Sequence, residues 1–499
     1  WLVCLSRYFH RRSLTISASF PFWKRGAVVL VGACLIGLCI FGIRGRTGYN
    51  PIKVSAAYFC QDAFLNQLGV SPTFNLLTSV MDDMRPENKY LHLMDEQEAI
   101  TKAQALLNRP GDANVSPLAV YRHAAKADSV QQRRPNVVLI MMESMSAKFM
   151  KHFGQSETLT PFLDSLYTRS ISFRNFYSAG IHTNHGLYAT LYSFPAMMKR
   201  NLMKGSVIPR YSGLPTVLKE NGYYNLFFMT HEGQYDNMNA FFRTNGYDEV
   251  FSQEDYPADK VVNSFGVQDD FLYDYAIPVL NQRAATGQPF FATLLSISNH
   301  PPYVIPPFFH PKTSEPEMQI VEYADWALRQ FFEEARKQPW FDNTIFVLEG
   351  DHGKLVGDAE CELPESYNHI PLMIYSSRIQ PEEKTAFGGQ VDIQPTILGL
   401  LNIDYLQNNF GVDLLKEERP CMFYTADNMV VGRNDTLLYL YNYETQQELT
   451  YHIGNGKLNA VPMDDSFLPL KEYSFSMHQS AEFLVKHGKT LNSIPFTQQ

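Results

Sequence analysis

Apolar positions fall into four successive patterns along the chain. From Gly26 to Ile43 they run on without a charged residue (GAVVLVGACLIGLCIFGI), about the shortest stretch that crosses a bilayer as a helix. From 47 to 132 they thin out, although Asp95–Leu107 (DEQEAITKAQALL) repeats them at helical spacing until Pro110, Gly111 and Asp112 break the pattern. From 133 to 415 short continuous apolar runs (Val137–Met142, Leu226–Met229, Phe290–Ile297, Ile345–Leu348, Pro371–Tyr375) alternate with helical stretches at Thr160–Thr168, Pro215–Asn221 and Val321–Gln338. Strands buried on both faces have no polar side to show, so this alternation predicts an α/β domain with a mostly parallel central sheet and helices on both faces. Beyond 416, Met429–Val431, Leu437–Tyr441 and Leu449–His452 predict a small antiparallel sheet, and Leu470–His487 a closing helix. The expected organisation is a membrane region (1–46), a helical connecting region (47–132), a large α/β domain (133–415) and a C-terminal subdomain (416–499).

The chemistry gathers where the apolar runs stop. Val137–Met142 leads into Glu143-Ser144, and Leu226–Met229 into Thr230-His231-Glu232. Phe290–Ile297 leads into Ser298-Asn299-His300, and Ile345–Leu348 into Glu349-Gly350-Asp351-His352-Gly353. Parallel strands place their carboxyl ends on one edge, where α/β sheets bind ligands. Glu143, His231, His300, Asp351 and His352 are therefore expected to converge. Glu143, Asp351 and His352 join two carboxylates to an imidazole, a donor set that suits Mn²⁺, Mg²⁺ or Zn²⁺. Asp351-His352 also reads as a plain capped turn, but Gly350 and Gly353 on either side let the backbone fold closely around a ligand.

Thr183 lies in Ala179-Gly180-Ile181-His182-Thr183-Asn184-His185-Gly186, just before Leu187–Tyr192, which has helical spacing. By itself the segment reads as a helix N-cap, a role that Thr fills well. Beside a cation and at a helix N-terminus, whose free N–H groups attract phosphate, the same hydroxyl reads as a nucleophile. The metal-type residues elsewhere in the chain decide for the second reading.

NVVLIMMES (136–144), LTPFLDSL (159–166), the Thr183 segment, ISNHPPY (297–303), DNTIFVLEGDHG (342–353) and VDIQPTILGLLNI (391–403) occur in this order. YADWALRQFF (323–332) and FGVDLL (410–415) agree more weakly. Together they resemble the extracellular catalytic domain of lipoteichoic acid synthases, a branch of the alkaline phosphatase/sulfatase superfamily, over about 135–415. The resemblance implies one divalent metal ion, commonly Mn²⁺ with Mg²⁺ or Zn²⁺ as alternatives, held by Glu143, Thr183, Asp351 and His352. It implies that Thr183 becomes esterified, that His300 acts at the substrate phosphate, and that His231 touches substrate. Lipoteichoic acid synthases carry a Trp and an Arg just beyond the His231 position to grip glycerol phosphate. Here the segment runs Gln234-Tyr235-Asp236 and onward, with Arg243 in place of that Arg at a different spacing. His369 joins the substrate-binding candidates, and His182 and His185 raise the question of a second ion.

The implied activity is a membrane-anchored, metal-dependent phosphotransferase that moves a phosphoglycerol-type group from a phospholipid donor to an envelope glycan or lipid acceptor. A phosphoethanolamine transferase is the alternative of the same mechanism. A sulfatase or phosphodiester hydrolase of the same superfamily is a further alternative, although a true sulfatase needs a Cys or Ser in a C/S-x-P/A-x-R context, which the Thr183 segment lacks. An inactive membrane receptor or scaffold is the non-enzyme alternative, disfavoured by intact Glu143, Thr183, Asp351 and His352.

Charge and cysteines narrow the picture further. A net charge of -9 and the lack of a long basic tract exclude a nucleic-acid partner. Basic residues are denser before the apolar run (Arg7, Arg11, Arg12, Lys24, Arg25) than after it (Arg44, Arg46), which puts the large domain on the extracytoplasmic side of the cell membrane. The first residue is Trp, so the chain is expected to continue a longer, multi-pass protein. The six cysteines show no C-x-x-C spacing. Cys361 and Cys421 are either a disulfide or two free thiols.

Overall fold

The computed structural model describes residue 7 and residues 22–47, 51–60, 63–85, 89–109, 119–125, 134–205, 208–454 and 456–492. Arg11, Arg12 and the Pro110–Asp112 break lie outside these, as do the side chains of Lys24 and Arg25. The chain forms two compact units, residues 1–53 and 54–499. The first contains helix α1 (Phe22–Arg44), of which Gly26–Arg44 is long and apolar enough to cross a membrane and is nowhere buried.

In the second unit, α2 (Glu96–Leu107) starts on Asp95, whose carboxylate accepts hydrogen bonds from the Gln97 and Glu98 N–H groups. Strand β1 (Tyr121–Ala124) follows. The main sheet is then built from β2 (Asn136–Met142), β3 (Ile171–Tyr177), β4 (Tyr224–Met229), β5 (Glu249–Phe251), β6 (Phe290–Leu295), β7 (Thr344–Gly350), β8 (Leu372–Tyr375) and β9 (Glu382–Gly389). Their order across the sheet is β5-β4-β6-β2-β7-β8-β3-β9. All neighbours are parallel except β8, which runs antiparallel to β7 and β3.

The sequence explains the layering. Every residue of β2, β6 and β7 is buried, so these strands read as unbroken apolar runs. Val137, Leu139 and Met141 of β2 pack into one core, with Leu187 of α4 (Thr183–Tyr192). Val138, Ile140 and Met142 pack into the other, with Leu163 of α3 (Pro161–Tyr167), Leu272 of α5 (Asp269–Ala284) and Val321 of α6 (Pro316–Ala335). The period of two along a strand thus fills both faces of one sheet.

Two of the sequence segments that mark the family bear the fold rather than the chemistry. In YADWALRQFF, Asp325 of α6 accepts hydrogen bonds from Phe162 N at 2.9 Å and Leu163 N at 2.8 Å. It caps the first turn of α3, in LTPFLDSL, from another helix, where such a cap contributes about 1 kcal/mol. In VDIQPT, Asp392 is paired with the buried Arg419 and accepts hydrogen bonds from Gly389 N and Val412 N. These bonds fix the turn between β9 and helix α7 (Ile393–Leu400).

Strand β10 (Tyr405–Asn408) returns to pair with β1. Strands β11 (Met422–Thr425), β12 (Met429–Arg433), β13 (Leu437–Asn442), β14 (Gln447–Gly454) and β15 (Lys457–Val461) form an antiparallel sheet in chain order. Helix α8 (Leu468–Lys486) packs on that sheet and on α2, to which Lys486 bonds through Glu96 at 2.8 Å. This sheet joins the main domain beside the Thr183 loop: Thr425 N donates to Ala179 O at 3.0 Å, and Tyr424 stacks on Tyr177. Cys361 and Cys421 are free thiols.

Candidate active site

The register of the sheet brings Met142 level with Gly350 and Met141 level with Leu295. The residues that follow these strands therefore leave the sheet at one edge. Ser144 turns there in the left-handed region (φ 50°), a conformation that non-glycine residues hold only where the surroundings enforce it. The reason is visible: Ser144 N donates to Asp351 Oδ1 at 2.8 Å, and Ser144 Oγ donates to Glu143 Oε1 at 2.7 Å. Asp351 Oδ1 also accepts the His352 N–H at 2.7 Å. Its other oxygen, Oδ2, is buried and has no hydrogen-bond partner.

Close backbone packing makes this geometry. A Cβ on Gly353 would lie 2.0 Å from Ser366 O, and one on Gly186 would lie 2.2 Å from Asp351 O. The first lets the chain after Asp351 lie against its neighbour. The second lets α4 sit directly on the end of β7. Gln390 ties the same parts together, because its Nε2 donates to Asp351 O at 2.7 Å while its Oε1 accepts the Ala179 N–H at 2.9 Å.

The residues present fit a divalent cation. One ligand atom from each of Glu143, Asp351 and His352 lies within 4.8 Å of the others. His352 Nε2 is 3.6 Å from Asp351 Oδ2 and 3.8 Å from Glu143 Oε1. His352 Nδ1 donates to Gly353 O at 2.7 Å. A carbonyl oxygen only accepts, so the hydrogen sits on Nδ1 and the Nε2 lone pair is left for a metal. Burial, with the Asp351 carboxylate beside it, pushes the Glu143 carboxyl well above its ordinary range. Two carboxylates crowded in a dry site are what a cation relieves.

Thr183 completes the cluster. It is the first residue of α4, with His182 as the N-cap. Its hydroxyl bonds to Glu143 Oε2 at 3.4 Å rather than capping the helix. The Thr183 and Asn184 N–H groups precede the first intrahelical donors, His185 N and Gly186 N, which both bond to His182 O, and so are free for an anion.

A cavity of about 400 Å³ opens over these atoms, walled by Glu143, Thr183, His352, His300, Tyr235 and Lys354 among others. Burial lowers the His300 imidazole below its usual range, and its Nδ1 is held by Pro301 O at 2.6 Å. The loop that carries it is anchored by Asp269, which accepts the Ile297 and Ser298 N–H groups.

Three of the expected substrate-binding residues are not brought to the cavity wall. His231 is buried, its Nδ1 facing Glu232 O at 3.2 Å, and it reaches the cavity only through Tyr235, whose ring is 4.7 Å away. Arg243 donates to Asn239 Oδ1 at 2.7 Å within its own helix. His369 leads into β8, which enters the sheet from the edge where its neighbours leave. Its Nε2 faces Arg174 O at 2.8 Å and its ring stacks on Tyr177.

Sequence reading missed other residues that do reach the site. Lys354 Nζ lies in the wall, bonded to Asn299 Oδ1 at 2.7 Å and Tyr303 Oη at 3.1 Å; burial pushes its ammonium down to about 8. Its place immediately after Gly353 was the available signal. Asn299 holds the Glu143 and Ser144 carbonyls through its Nδ2. Asp427, from the turn between β11 and β12, binds His182 Nε2 at 2.7 Å. No local pattern marks Asp427, because only the docking of the C-terminal sheet puts it there. His185 is buried with both ring nitrogens unpartnered, and burial holds it down to about 3.

A mostly parallel sheet that presents two carboxylates, an imidazole and a hydroxyl at its carboxyl edge has the architecture of the alkaline phosphatase superfamily. A solved member of that superfamily from Vibrio parahaemolyticus superposes with a TM-score of 0.71 at 25% identity, over 80% of this chain and 98% of that one. The lipoteichoic acid synthase LtaP from Listeria monocytogenes shares the fold with a TM-score of 0.62 at 19% identity, over 78% of this chain and 98% of that one. The family model described as Sulfatase matches residues 135–403, and the chain belongs to that family, in its lipoteichoic acid synthase-like branch. Lipoteichoic acid synthase 2 of Bacillus subtilis is 24% identical over 315 residues, 57% of this chain and 47% of the relative. Lipoteichoic acid synthase of Staphylococcus saprophyticus is 24% identical over 367 residues, 66% of this chain and 54% of the relative. The chain thus spans about half the length of these relatives. It is an enzyme of the sulfatase/alkaline phosphatase superfamily, whose members use a metal ion.

Proposed function

We propose that this protein transfers a phosphoglycerol-type group from a membrane phospholipid to an envelope glycan or lipid acceptor through a phospho-threonine at Thr183. The observation that carries the reading is the 3.4 Å contact of the Thr183 hydroxyl with Glu143, in the cavity that His352 also lines and beside the ligand cluster that Asp351 completes. Glu143, Thr183, Asp351 and His352 would hold one divalent ion, Mn²⁺ by resemblance, which when bound supplies positive charge that stabilises the phosphoryl oxygens. The residues do the rest. Thr183 Oγ attacks phosphorus as its proton passes to Glu143 Oε2, the oxygen it is bonded to, and the bond from phosphorus to the diacylglycerol oxygen breaks. His300 lies across the cavity and gives the leaving oxygen its proton. The N–H groups at the start of α4 receive the phosphoryl oxygens. An acceptor hydroxyl then attacks the phospho-threonine, His300 takes its proton, the bond from phosphorus to Thr183 Oγ breaks, and Glu143 returns the proton to Thr183.

His231 and His369 act in this reading from behind the wall, His231 by orienting Tyr235, and Arg243 by holding its helix. The division into a membrane region, a connecting region, a catalytic domain at 133–415 and a C-terminal subdomain is kept, with α1 anchoring an extracytoplasmic catalytic domain in the cell membrane. Phosphoethanolamine is the second head group, favoured by one observation: Asp236 and Glu317 both line the cavity, and two carboxylates suit an amine. Incubating the protein with Mn²⁺ and vesicles of either phosphatidylglycerol or phosphatidylethanolamine tests the proposal. Diacylglycerol release from the first supports the leading reading, release from the second alone supports the other, and release from neither rejects both.

A further inference from the structure

One helix of the second unit is folded with its apolar side outward. Pro72–Asp83 begins on Ser71, whose hydroxyl accepts the Phe74 N–H, and has Pro in its first turn. Its large side chains face solvent: Phe74, Leu76, Leu77 (61% exposed), Val80 and Met81 (64%), followed by Met84 (78%). Of its polar residues Asn75, Thr78, Ser79 and Asp82 are half-buried, while Thr73 in the first turn is exposed. Phe59, Leu65 and Leu68, just before it, are exposed as well. An amphipathic helix in water takes the opposite orientation. The same unit shows this in α2, which buries Ala99, Ile100, Ala103 and Leu107. Soluble surfaces rarely carry an apolar patch of this kind without a partner.

We infer that the helix Pro72–Asp83, with Leu65 and Leu68 before it and Met84 after it, docks on the lipid bilayer, with Phe74, Leu77, Met81 and Met84 in the boundary between head groups and acyl chains. Three observations favour lipid as the occupant. The helix follows α1 on the chain, with fewer than thirty residues between Arg44 and Pro72. At 12 residues it is about 18 Å long, too short for the roughly 30 Å hydrocarbon core, so it lies flat. Apart from the Thr73 hydroxyl in its first turn, its exposed stripe carries no charge and no side-chain hydrogen-bond donor, which matches hydrocarbon and offers a protein partner little that is polar to recognise. The helix contains no Lys or Arg, so docking is expected on zwitterionic lipid and does not depend on anionic head groups. This docking is independent of which head group the active site transfers.

The test uses the full chain, made free of its native cysteines and reconstituted into phosphatidylcholine vesicles that carry doxyl-labelled lipid. Single cysteines are introduced as Leu77→Cys, Met81→Cys and Thr78→Cys and labelled with an environment-sensitive fluorophore, and thermal melts check that each variant is folded. Positions 77 and 81 are expected to show blue-shifted emission and at least about twofold quenching by the lipid-borne doxyl group, with position 78 little affected. Free access of aqueous iodide to 77 and 81 would overturn the inference. So would protection from both quenchers accompanied by cross-linking of Leu77→Cys between two copies, which would assign the face to self-association.

Discussion

The centre and the flanks of the main sheet's carboxyl edge carry similar residue types and differ in how those residues are satisfied. At the centre, where β2 and β7 end, Asp351 Oδ2 is buried without a partner, and His352 is oriented by Gly353 O with Nε2 left over. At the flanks, Arg243 and His369 have found protein partners, and His231 is buried behind Tyr235. The contrast also operates within one strand. Glu349 and Asp351 are two residues apart and each keeps one buried carboxylate oxygen without a partner, yet Glu349 bonds to the Thr190 hydroxyl at 2.6 Å and only Asp351 joins Glu143 and His352. Burial pushes Glu349 well above its ordinary range. Position at the edge makes a residue a candidate; an unspent lone pair that meets those of other such residues makes it a ligand.

The sharpest way to break this comparison is at the centre. Thr183→Ala is expected to lower turnover by at least ~10³-fold, as loss of a covalent nucleophile does, with an unchanged melting temperature. Full turnover in that variant would remove the covalent route. Asp351→Asn is next: metal affinity should fall by more than about 100-fold, since even residues that only support ligands cost 10–100-fold. Elemental analysis of the purified variant reads this, and unchanged metal stoichiometry would dismantle the centre. Lys354→Met should reduce kcat/KM by roughly 10–100-fold, the range for losing one charged hydrogen bond to a phosphate. The Lys354 ammonium is charged below about 8 and neutral above it, so kcat/KM should decline as pH rises through that value, and Lys354→Met should abolish this limb. At the flank, Arg243→Gln should change turnover by less than about 3-fold, in line with substitutions away from a site. A larger loss would mean that the helix moves Arg243 into the cavity when substrate binds.

Much of this was legible in the sequence, and the parts that were not share a physical cause. Strands buried on both faces, β2, β6 and β7, announce themselves as apolar runs, and the ends of β2 and β7 gave Glu143, Asp351 and His352 directly. Strands β3, β5 and β9 mix polar and apolar residues because they lie toward the rims of the sheet, and the pattern did not reveal them. The run at Leu372–Tyr375 was legible as a strand, but its reversed direction depends on pairing with β3 and β7. The Thr183 segment alone reads as a cap, and only the metal-type residues elsewhere in the chain made its hydroxyl a nucleophile candidate; the structure bonds that hydroxyl to Glu143. Asp427 and Gln390 could not be found from spacing, since each matters through a contact with residues some 200 positions earlier, at His182 and Ala179. The inverted helix Pro72–Asp83 has an amphipathic sequence, and only its seating shows which face is turned out.

The most direct test of the central claim is peptide-resolved mass spectrometry of the full chain, quenched during turnover on phosphatidylglycerol vesicles with Mn²⁺. A phosphoglycerol adduct confined to the peptide that holds Thr183, and lost when acceptor is added, is the predicted result. Product formation with no adduct on Thr183, or with the adduct on another residue, would contradict it.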